Sequence, residues 1–404
     1  MLITNLISRY MELCKAAFNF CGGAKLNKSI QSNIMEMLFL LMVIPRKVNF
    51  TQMGRYGKRG EQCYRQTAER SVDWLEMNMW LSAYAFKKGK GRNAIAIDPS
   101  YIKKSGKCTP YIGSFWSGCA GAVKRGLEIL GISVIDVDLH ECMMLKAVQT
   151  TLDKDKENDD MSLYDWYAKV LSDNKQTLQR ITSILVADSA FSKRPFIDNM
   201  LGIGFNVVSR LRHDAALYYL WDGDPTGKPG RPRVKGEKID FKNIDQSKVE
   251  ILDTEEPNEK VYALKAWSKS LHRKISLVIH ILQNGGHRLY FSTDESMSGR
   301  DVMDYYCTRF QIEFCFRDAK QFVGLTDCQA RDTRKLNFAF NSSFTAVNVA
   351  KIMCKEYNLS IGRLKALMVN AYYAQRIIDV FERNPNTQLN HEIFEFGIRN
   401  TFKI

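Results

Sequence analysis

The 404-residue sequence predicts an α/β protein in which a helical first quarter precedes a mixed sheet that a β-rich insertion interrupts. Three observations lead to this class. Apolar residues recur at helical spacing over residues 1–45, short apolar runs separated by turns begin at residue 94, and strands then alternate with helices. Strand runs followed by strand–helix alternation are typical of a mixed sheet covered by helices.

Changes in composition and in the pattern of apolar residues along the chain predict four segments. Hydrophobic residues make up 45% of the chain, which is ample for one large core or for several domains. The segments are a helical DNA-binding domain at 1–93, a first part of the catalytic core at 94–210, a β-rich insertion at 211–295, and a second part of the core with C-terminal helices at 296–404.

The first 93 residues carry a concentrated positive charge. They hold 15 basic and six acidic residues, a surplus of nine out of the chain's net +14. Such asymmetry favours a segment that contacts DNA, with an anionic membrane surface as the weaker alternative. The longest apolar run, Met37–Ile44, falls far short of the roughly 20 residues of a membrane span and predicts a buried helix.

A helix-turn-helix is predicted within this basic region. A short helix, a glycine-bearing turn at Gly57–Gly60 and a longer helix from Glu61 to about Trp80 give its outline. An αα-hairpin without any DNA-binding role has the same outline. The candidate readers of bases and phosphates on the second helix are Gln62, Arg65, Gln66 and Arg70.

Short apolar runs predict the strands of the core. They lie at Ala94–Ile97, Gly131–Val137, Ser183–Ala187 and Phe205–Ser209, with helices after an acidic stretch near residue 160 and at Lys193–Leu201. Asp98 directly follows the first run and Asp188 directly follows the third. Open α/β sheets hold their sites at the carboxyl ends of strands, which makes both residues catalytic candidates. A turn or capping role suits a lone Asp equally well.

The insertion combines a basic loop with strands at Val261–Trp267, Lys274–Leu282 and Arg288–Ser292. Two prolines and one glycine exclude regular structure from the loop Lys228–Arg233. Its Gly-Arg-Pro core resembles an AT-hook, so Arg231 and Arg233 are candidates for a narrow minor groove. A solvated basic loop is the other interpretation.

A polar stripe marks the region after the insertion. Tyr306, Arg309, Glu313 and Lys320 stand at i, i+3, i+7 and i+14, which puts them within about 60° of one another on a single helix. Apolar residues flank the stripe on both sides: Phe310 and Phe314, then Ile312 and Phe316. We therefore expect a largely buried helix, on which ionised groups must pair or bind metal.

This Tyr-x2-Arg-x3-Glu-x6-Lys spacing resembles the signature of the YREK group of bacterial insertion-sequence transposases. Ile-Asp-Pro-Ser at 97–100 and Ala-Asp-Ser-Ala-Phe at 187–191 resemble the contexts of the two catalytic aspartates in that group. The resemblance covers roughly residues 94–330. It implies a ribonuclease H-like core whose DDE triad is Asp98, Asp188 and Glu313, with Tyr306, Arg309 and Lys320 as DNA contacts.

The resemblance also implies an activity and its partners. The expected activity is metal-dependent cleavage at the ends of an insertion sequence and strand transfer into target DNA. Three carboxylates would hold Mg²⁺, or Mn²⁺ in its place, and no nucleotide cofactor is needed. The implied partners are double-stranded DNA, as terminal inverted repeats and as target, and a second copy in a homodimer. A hairpin on the element end is the leading intermediate.

Alternatives remain at the level of residues and of function. Asp136 or Asp138 could support the site or replace Asp98. A structural role is the favoured interpretation for His140, and Asp294 either positions the Glu313 helix or has a capping role. A ribonuclease H-like nuclease without strand transfer, and an inactive transposase-derived DNA-binding protein, are the rival functions. Scattered cysteines without zinc spacing, and no secretory pattern, predict reduced thiols in a cytoplasmic, nucleoid-associated bacterial protein.

Overall fold

The computed structural model describes residues 3–87, 91–152, 161–223, 233–254, 256–383 and 385. The first helices lie at Ile3–Phe20 (α1), Lys28–Val43 (α2), Phe50–Tyr56 (α3), Glu61–Thr67 (α4) and Trp74–Ala85 (α5). Next come β1 (Asn93–Lys103), β2 (Gly113–Ser117), β3 (Ala122–Asp136), β4 (Glu141–Gln149), α6 (Leu163–Leu178), β5 (Ile184–Ala187), α7 (Arg194–Gly202) and β6 (Asn206–Leu211).

The second half of the chain adds strands first and helices afterwards. The strands are β7 (Leu217–Leu220), β8 (Lys235–Lys238), β9 (Glu250–Leu252), β10 (Lys260–Ser268), β11 (Arg273–Ile281) and β12 (His287–Ser292). The helices are α8 (Gly299–Thr308), α9 (Gln311–Phe322), α10 (Thr333–Tyr357) and α11 (Ile361–Arg383). All the strands predicted from apolar runs are present, although several are longer than predicted.

The described strands form one mixed sheet. Its order is β2-β3-β1-β5-β6-β12-β11-β10-β7-β8, with β4 also on β3 and β9 also on β10. β1 runs antiparallel to β3 and parallel to β5, and β5 runs parallel to β6. Because β12 pairs antiparallel with β6, the strands of the predicted insertion extend the core sheet. The predicted α/β class with a mixed sheet is confirmed.

The outer edge of β4 is closed by amide side chains rather than by another strand. Asn348 accepts a hydrogen bond from Met144 N and donates one to Met144 O, and Asn341 does the same with Ala147. Asn78 of α5 donates to the carbonyl of Leu145. These bonds satisfy the edge groups that would otherwise template aggregation. They also hold α5 and α10 against the sheet, so the N-terminal helices share its core.

One predicted helix is wrong in length. The helix expected from Glu61 to about Trp80 stops at Thr67, and α5 begins only at Trp74. The Asp73 side chain accepts a hydrogen bond from Glu76 N and so caps a new helix. The predicted helix-turn-helix therefore has a second helix of only seven residues.

Two general expectations can be compared with the described part of the chain. None of its helices is long and apolar enough to cross a bilayer. Each cysteine with a described side chain is a free thiol. The buried segment predicted at Met37–Ile44 forms the last part of α2 and the residue after it.

Candidate active site

Asp98 and Asp188 are brought together by the parallel pairing of β1 with β5. The last partners in that register are Ile97 and Ala187, and the two aspartates are the next residues along each strand. Neighbouring strands of a sheet lie about 4.8 Å apart, so the backbones of Asp98 and Asp188 start from adjacent positions. Asp188 leaves the sheet there, and its carboxylate accepts a 2.6 Å hydrogen bond from Ser189 N.

The prediction that Asp98 ends its strand is wrong. β1 continues to Lys103, and Asp98 is paired with Gly131 of β3. The continuation is possible because β1 needs only one hydrogen-bonded neighbour, β3, beyond Ile97. Asp98 therefore lies on a strand that stays paired with β3 on both sides of it, while the pairing with β5 ends beside it.

Helix α9 lies across the face of β1 that carries Asp98. Asp98 and Ser100 share this face because side chains alternate along a strand. Lys320 Nζ donates to Ser100 Oγ at 2.9 Å. Phe316 packs directly over Gly131, the strand partner of Asp98, where a Cβ atom would come within 2.5 Å of the ring. These contacts place the helix of Glu313 and Lys320 above the aspartates.

The single helix predicted for Tyr306, Arg309, Glu313 and Lys320 is in fact two. α8 ends at Thr308 and α9 begins at Gln311. Between them the hydrogen bonds tighten to three-residue spacing, as in Arg309 N to Tyr306 O and Glu313 N to Phe310 O. The expected burial on both flanks is also wrong, because Phe310 is 48% exposed while Ile312 is fully buried.

Arg309 occupies the centre of the site. Its Nη2 lies 3.0 Å from Glu313 Oε1 and its Nη1 lies 3.8 Å from Asp98 Oδ1. Nη1 is buried without a hydrogen-bond partner. The guanidinium carbon stands 6.0 Å from the ring centroid of Tyr306. The arginine thus links the first aspartate to the glutamate, and the residues of the predicted stripe meet at one place.

The electrostatics of the site disfavour ionised Asp98. Burial raises the pKa of Asp98 to about 7, against an ordinary value of 3.8. Arg309 and Lys320 lower that pKa, whereas the nearby carboxylates of Glu313 and Asp188 raise it further. For Arg309, burial lowers the pKa, but Asp98 and its other neighbours outweigh burial and leave the pKa above its usual range. Additional positive charge would stabilise the three carboxylates together.

The donor chemistry of the site suits a hard divalent cation. Three carboxylates are the oxygen ligands that Mg²⁺ and Mn²⁺ prefer. Within the described residues, however, no three carboxylate, imidazole or thiol groups stand close enough to hold one ion between them. The Arg309 guanidinium lies between Asp98 and Glu313, which accounts for their separation. Binding of an ion by all three requires Glu313 to turn away from Arg309.

The competing carboxylates lie elsewhere. Asp136 pairs in register with Asn93, five residues from Asp98 along β1, or roughly 17 Å at the usual rise per residue. Its Oδ1 accepts hydrogen bonds from the turn amides of Asp138 and Leu139. Asp138 forms an ion pair with Arg92 at 2.8 Å. Asp136 and Asp138 therefore lie apart from the pair of Asp98 and Asp188.

Two further candidates have local structural roles. His140 lies in the turn between β3 and β4 with a φ of 51°, a left-handed conformation. Asp294 accepts hydrogen bonds from the amide and hydroxyl of Ser296 in the loop before α8. It does not cap α8, since Ser298 accepts from Asp301 N there.

The candidate DNA readers of α4 differ in their surroundings. Gln62 and Gln66 are exposed on α4. Arg70 is also exposed, but the prediction that it lies on this helix is wrong, because α4 ends at Thr67. Arg65 forms an ion pair with Glu61 at 2.5 Å and lies 5.4 Å from the ring centroid of Phe50. Arg65 is therefore already engaged by its own helical neighbourhood.

The basic loop of the insertion is only partly described. Arg231 lies outside the described residues, as does most of Lys228–Arg233. Arg233 is exposed, and its guanidinium carbon stands 3.9 Å from the ring centroid of Trp221. Arg233 Nε also donates a hydrogen bond to the carbonyl of Lys235 at 3.1 Å, so the cation–π contact and this bond together engage the side chain.

Sequence reasoning missed two residues that build the site. Ser100 anchors Lys320, and Gly131 provides the space for Phe316. Gly131 interrupts an apolar strand pattern, which is a sign of close approach by another group. No comparable signal distinguishes Ser100.

Comparison with known proteins found one similar family and a similar solved structure. Residues 167–349 match the transposase DDE domain family, a stretch that includes Asp188 and Glu313 but not Asp98. None of the curated proteins matches the chain. A cryo-EM structure of a piggyBac transposase synaptic complex with hairpin DNA is similar at 12% identity and a TM-score of 0.42. That match covers 98% of this chain and 82% of the other.

Proposed function

We propose that the protein is a DNA transposase of the DDE type, with Asp98, Asp188 and Glu313 as its catalytic carboxylates. One observation carries the proposal: the β1–β5 register sets Asp98 beside Asp188, and Arg309 connects Asp98 to Glu313. Two of the three carboxylates lie in the stretch that matches the transposase DDE domain. The YREK spacing of the sequence supports the insertion-sequence type in particular.

The chain's own side chains have separable roles in this proposal. The carboxylates of Asp98, Asp188 and Glu313 would hold Mg²⁺ or Mn²⁺, which when bound activates the attacking hydroxyl and stabilises the leaving oxygen. Arg309 can bind a phosphate oxygen once Glu313 releases it, and Lys320 offers a point charge beside it. Tyr306 packs against Tyr290, with ring centroids 5.1 Å apart, and forms a wall of the site.

The fold and the remaining partners follow the same proposal. We infer a ribonuclease H-like core from the strand order β4-β3-β1-β5-β6, in which three antiparallel strands adjoin two parallel ones. We propose double-stranded DNA as the substrate, a homodimer as the working unit, and the bacterial nucleoid as the location. In this proposal the exposed side chains of α4 and the basic loop with Arg231 and Arg233 contact the DNA.

An assay for cleavage and joining tests this function. The full chain is incubated with a supercoiled plasmid that carries the coding region and its natural flanks, with Mg²⁺, Mn²⁺ or a chelator. We expect metal-dependent breaks at the element ends and joined products. Breaks without joining would support the nuclease alternative, and neither product would support a DNA-binding protein without catalysis.

Single substitutions assign the residues. Asp98→Ala, Asp188→Ala and Glu313→Ala should each abolish cleavage while DNA binding survives. The control is Glu295→Ala, which removes an exposed carboxylate from the loop before α8. Cleavage near the wild-type rate by any one of the three variants removes that residue from the centre.

A further inference from the structure

The segment that follows Asp98 has an unusual charge. Residues 99–127 contain five lysines and arginines and no aspartate, glutamate or histidine. Lys104 is buried and donates a hydrogen bond to the Cys328 carbonyl. The other four cations are exposed: Lys103, Lys107, Lys124 and Arg125. The segment thus presents positive charge to solvent without any acidic residue of its own to neutralise it.

Within this segment, β2 and the first residues of β3 form a hairpin with an exposed apolar face. Trp116 and Val123 are direct cross-strand partners, and they are 63% and 61% exposed. Ser114 and Arg125, the partners two residues away, lie on the same face and are also exposed. Large exposed apolar side chains beside cations are a common composition of contact surfaces.

The exposed face of the hairpin belongs to the same side of the sheet as Asp98. In the β1–β3 register, Asp98 pairs with Gly131 and Ile102 pairs with Leu127. Directly paired residues share a face, and residues two apart along a strand do so as well. Val123 and Arg125 therefore continue the face that begins at Asp98. Arg125 lies six residues from Gly131 along β3, roughly 20 Å at the usual rise per residue, a distance that about six base pairs of a duplex bound at Asp98 would span.

The hairpin is held rigidly in that position. The Tyr101 hydroxyl donates to the Arg125 carbonyl at 2.7 Å. Gly126 packs so tightly that a Cβ atom there would lie 2.5 Å from the Tyr101 ring and from the Ile102 carbonyl. Phe115 is buried on the opposite face of the hairpin from Trp116. A ligand would therefore find the surface preorganised, with little ordering cost on binding.

We propose that this β2–β3 hairpin is a DNA-binding element, in which Arg125 contacts a phosphate and Trp116 with Val123 packs on the adjoining sugars and bases. The inference rests on the proposed function, because it takes Asp98 as the place where DNA is cut. Charge decides between DNA and a second copy of the chain. Two copies of an acid-free cationic hairpin repel each other, whereas a polyanion is attracted.

Binding without catalysis tests the hairpin. The full chain is titrated into a fluorescein-labelled DNA duplex in chelator, and anisotropy is recorded over a range of salt concentrations. Arg125→Gln should weaken binding and lower the slope of log affinity against log salt by about 0.9, the value for one phosphate contact on duplex DNA. Lys124→Gln is the matched control, since it removes the same charge one residue away on the opposite face.

The tryptophan gives a second, direct readout. Trp116→Ala should weaken binding severalfold, whereas Leu139→Ala, at the other end of β3 and 47% exposed, should leave affinity unchanged. In the wild type, DNA should protect part of the tryptophan emission from acrylamide, and Trp116→Phe should remove the protected part. This measurement on the wild type does not depend on how any destabilised variant folds.

The outcomes separate the two proposals. Wild-type affinity and salt slope in Arg125→Gln, with no protection of Trp116, overturn the hairpin while the transposase proposal stands. Equal losses in Lys124→Gln and Arg125→Gln, without loss in Trp116→Ala, overturn the assigned face. A halved mass by light scattering for Trp116→Ala shows a protein interface instead. Failure of the wild type to bind any DNA contradicts the proposed function itself.

Discussion

Replacement of Gly131 by alanine should move the catalytic helix. A Cβ atom at this position would lie 2.5 Å from Cζ of Phe316 and 2.9 Å from Cε of Met144. Ordinary contact begins at 3.4 Å, so the phenylalanine ring must retreat by about 1 Å. The ring is 4% exposed and packs edge-to-face on Phe344, which leaves it little room to rotate. α9 therefore has to shift.

The shift has a cost in stability and in activity. Overpacking of a tight core costs about 1–3 kcal/mol, and we expect Gly131→Ala to lower the free energy of unfolding in urea by that amount. Glu313 lies three residues before Phe316 on the same helix, so it moves relative to Asp98. A misplacement of about 1 Å in an active site can lower the rate roughly 100-fold, and DNA cleavage should fall on that scale.

A second substitution distinguishes this explanation from general damage. Phe316→Leu makes room for the new methyl group, so Gly131→Ala with Phe316→Leu should recover part of both losses. The two changes should therefore show a favourable coupling energy in a double-mutant cycle. Wild-type stability and cleavage in Gly131→Ala, or strictly additive losses in the double variant, would show that Gly131 does not set the position of α9.

Three further predictions concern charge. In chelator at pH 8, Asp98→Asn should unfold at a higher urea concentration than the wild type. The pKa of Asp98 in the folded protein, about 7, exceeds its ordinary value of 3.8, so wild-type stability falls as pH rises between these values, by a few kcal/mol at most. Equal urea midpoints at pH 8 would contradict this prediction. Lys365 donates hydrogen bonds to the terminal carbonyls of α2 and α9 at Leu41 and Phe322, and burial lowers its pKa from 10.5 to about 8. Wild-type stability should therefore rise between pH 8 and 10.5 by at most about 3 kcal/mol, and urea melts of Lys365→Met should lack that rise. Arg231→Ala with Arg233→Ala should weaken binding to element-end DNA and reduce its salt dependence. An unchanged slope of log affinity against log salt would show that the loop does not contact the DNA.

Strand positions were the most predictable part of this fold. Each apolar run of the core and insertion became a strand, because continuous apolar character is what a two-sided sheet requires. β4 escaped prediction since its Met-Met-Leu-Lys-Ala sequence also suits a helix, and only its pairing with β3 decides the matter. Helix and strand propensities of neighbouring residues carry no information about that long-range pairing of β4 with β3.

The candidate site was predictable in its residues but not in its geometry. The apolar run stops at Ile97, and the sequence therefore predicts a strand that ends at Asp98. The strand continues because its pairing with β3 extends to Lys103, beyond the last partner in β5. No proline or glycine marks the break between α8 and α9, so the spacing of polar residues predicts one continuous helix.

The central claim is that Asp98, Asp188 and Glu313 belong to one metal centre. Diffraction from Mn²⁺-soaked crystals of the full chain, recorded at the manganese absorption edge, tests it most directly. We expect an anomalous peak in contact with the carboxylates of Asp98 and Asp188, with Glu313 turned towards it and away from Arg309. A saturating soak that leaves the Arg309–Glu313 pair intact and puts no manganese beside the two aspartates would show that the three carboxylates do not form one metal centre.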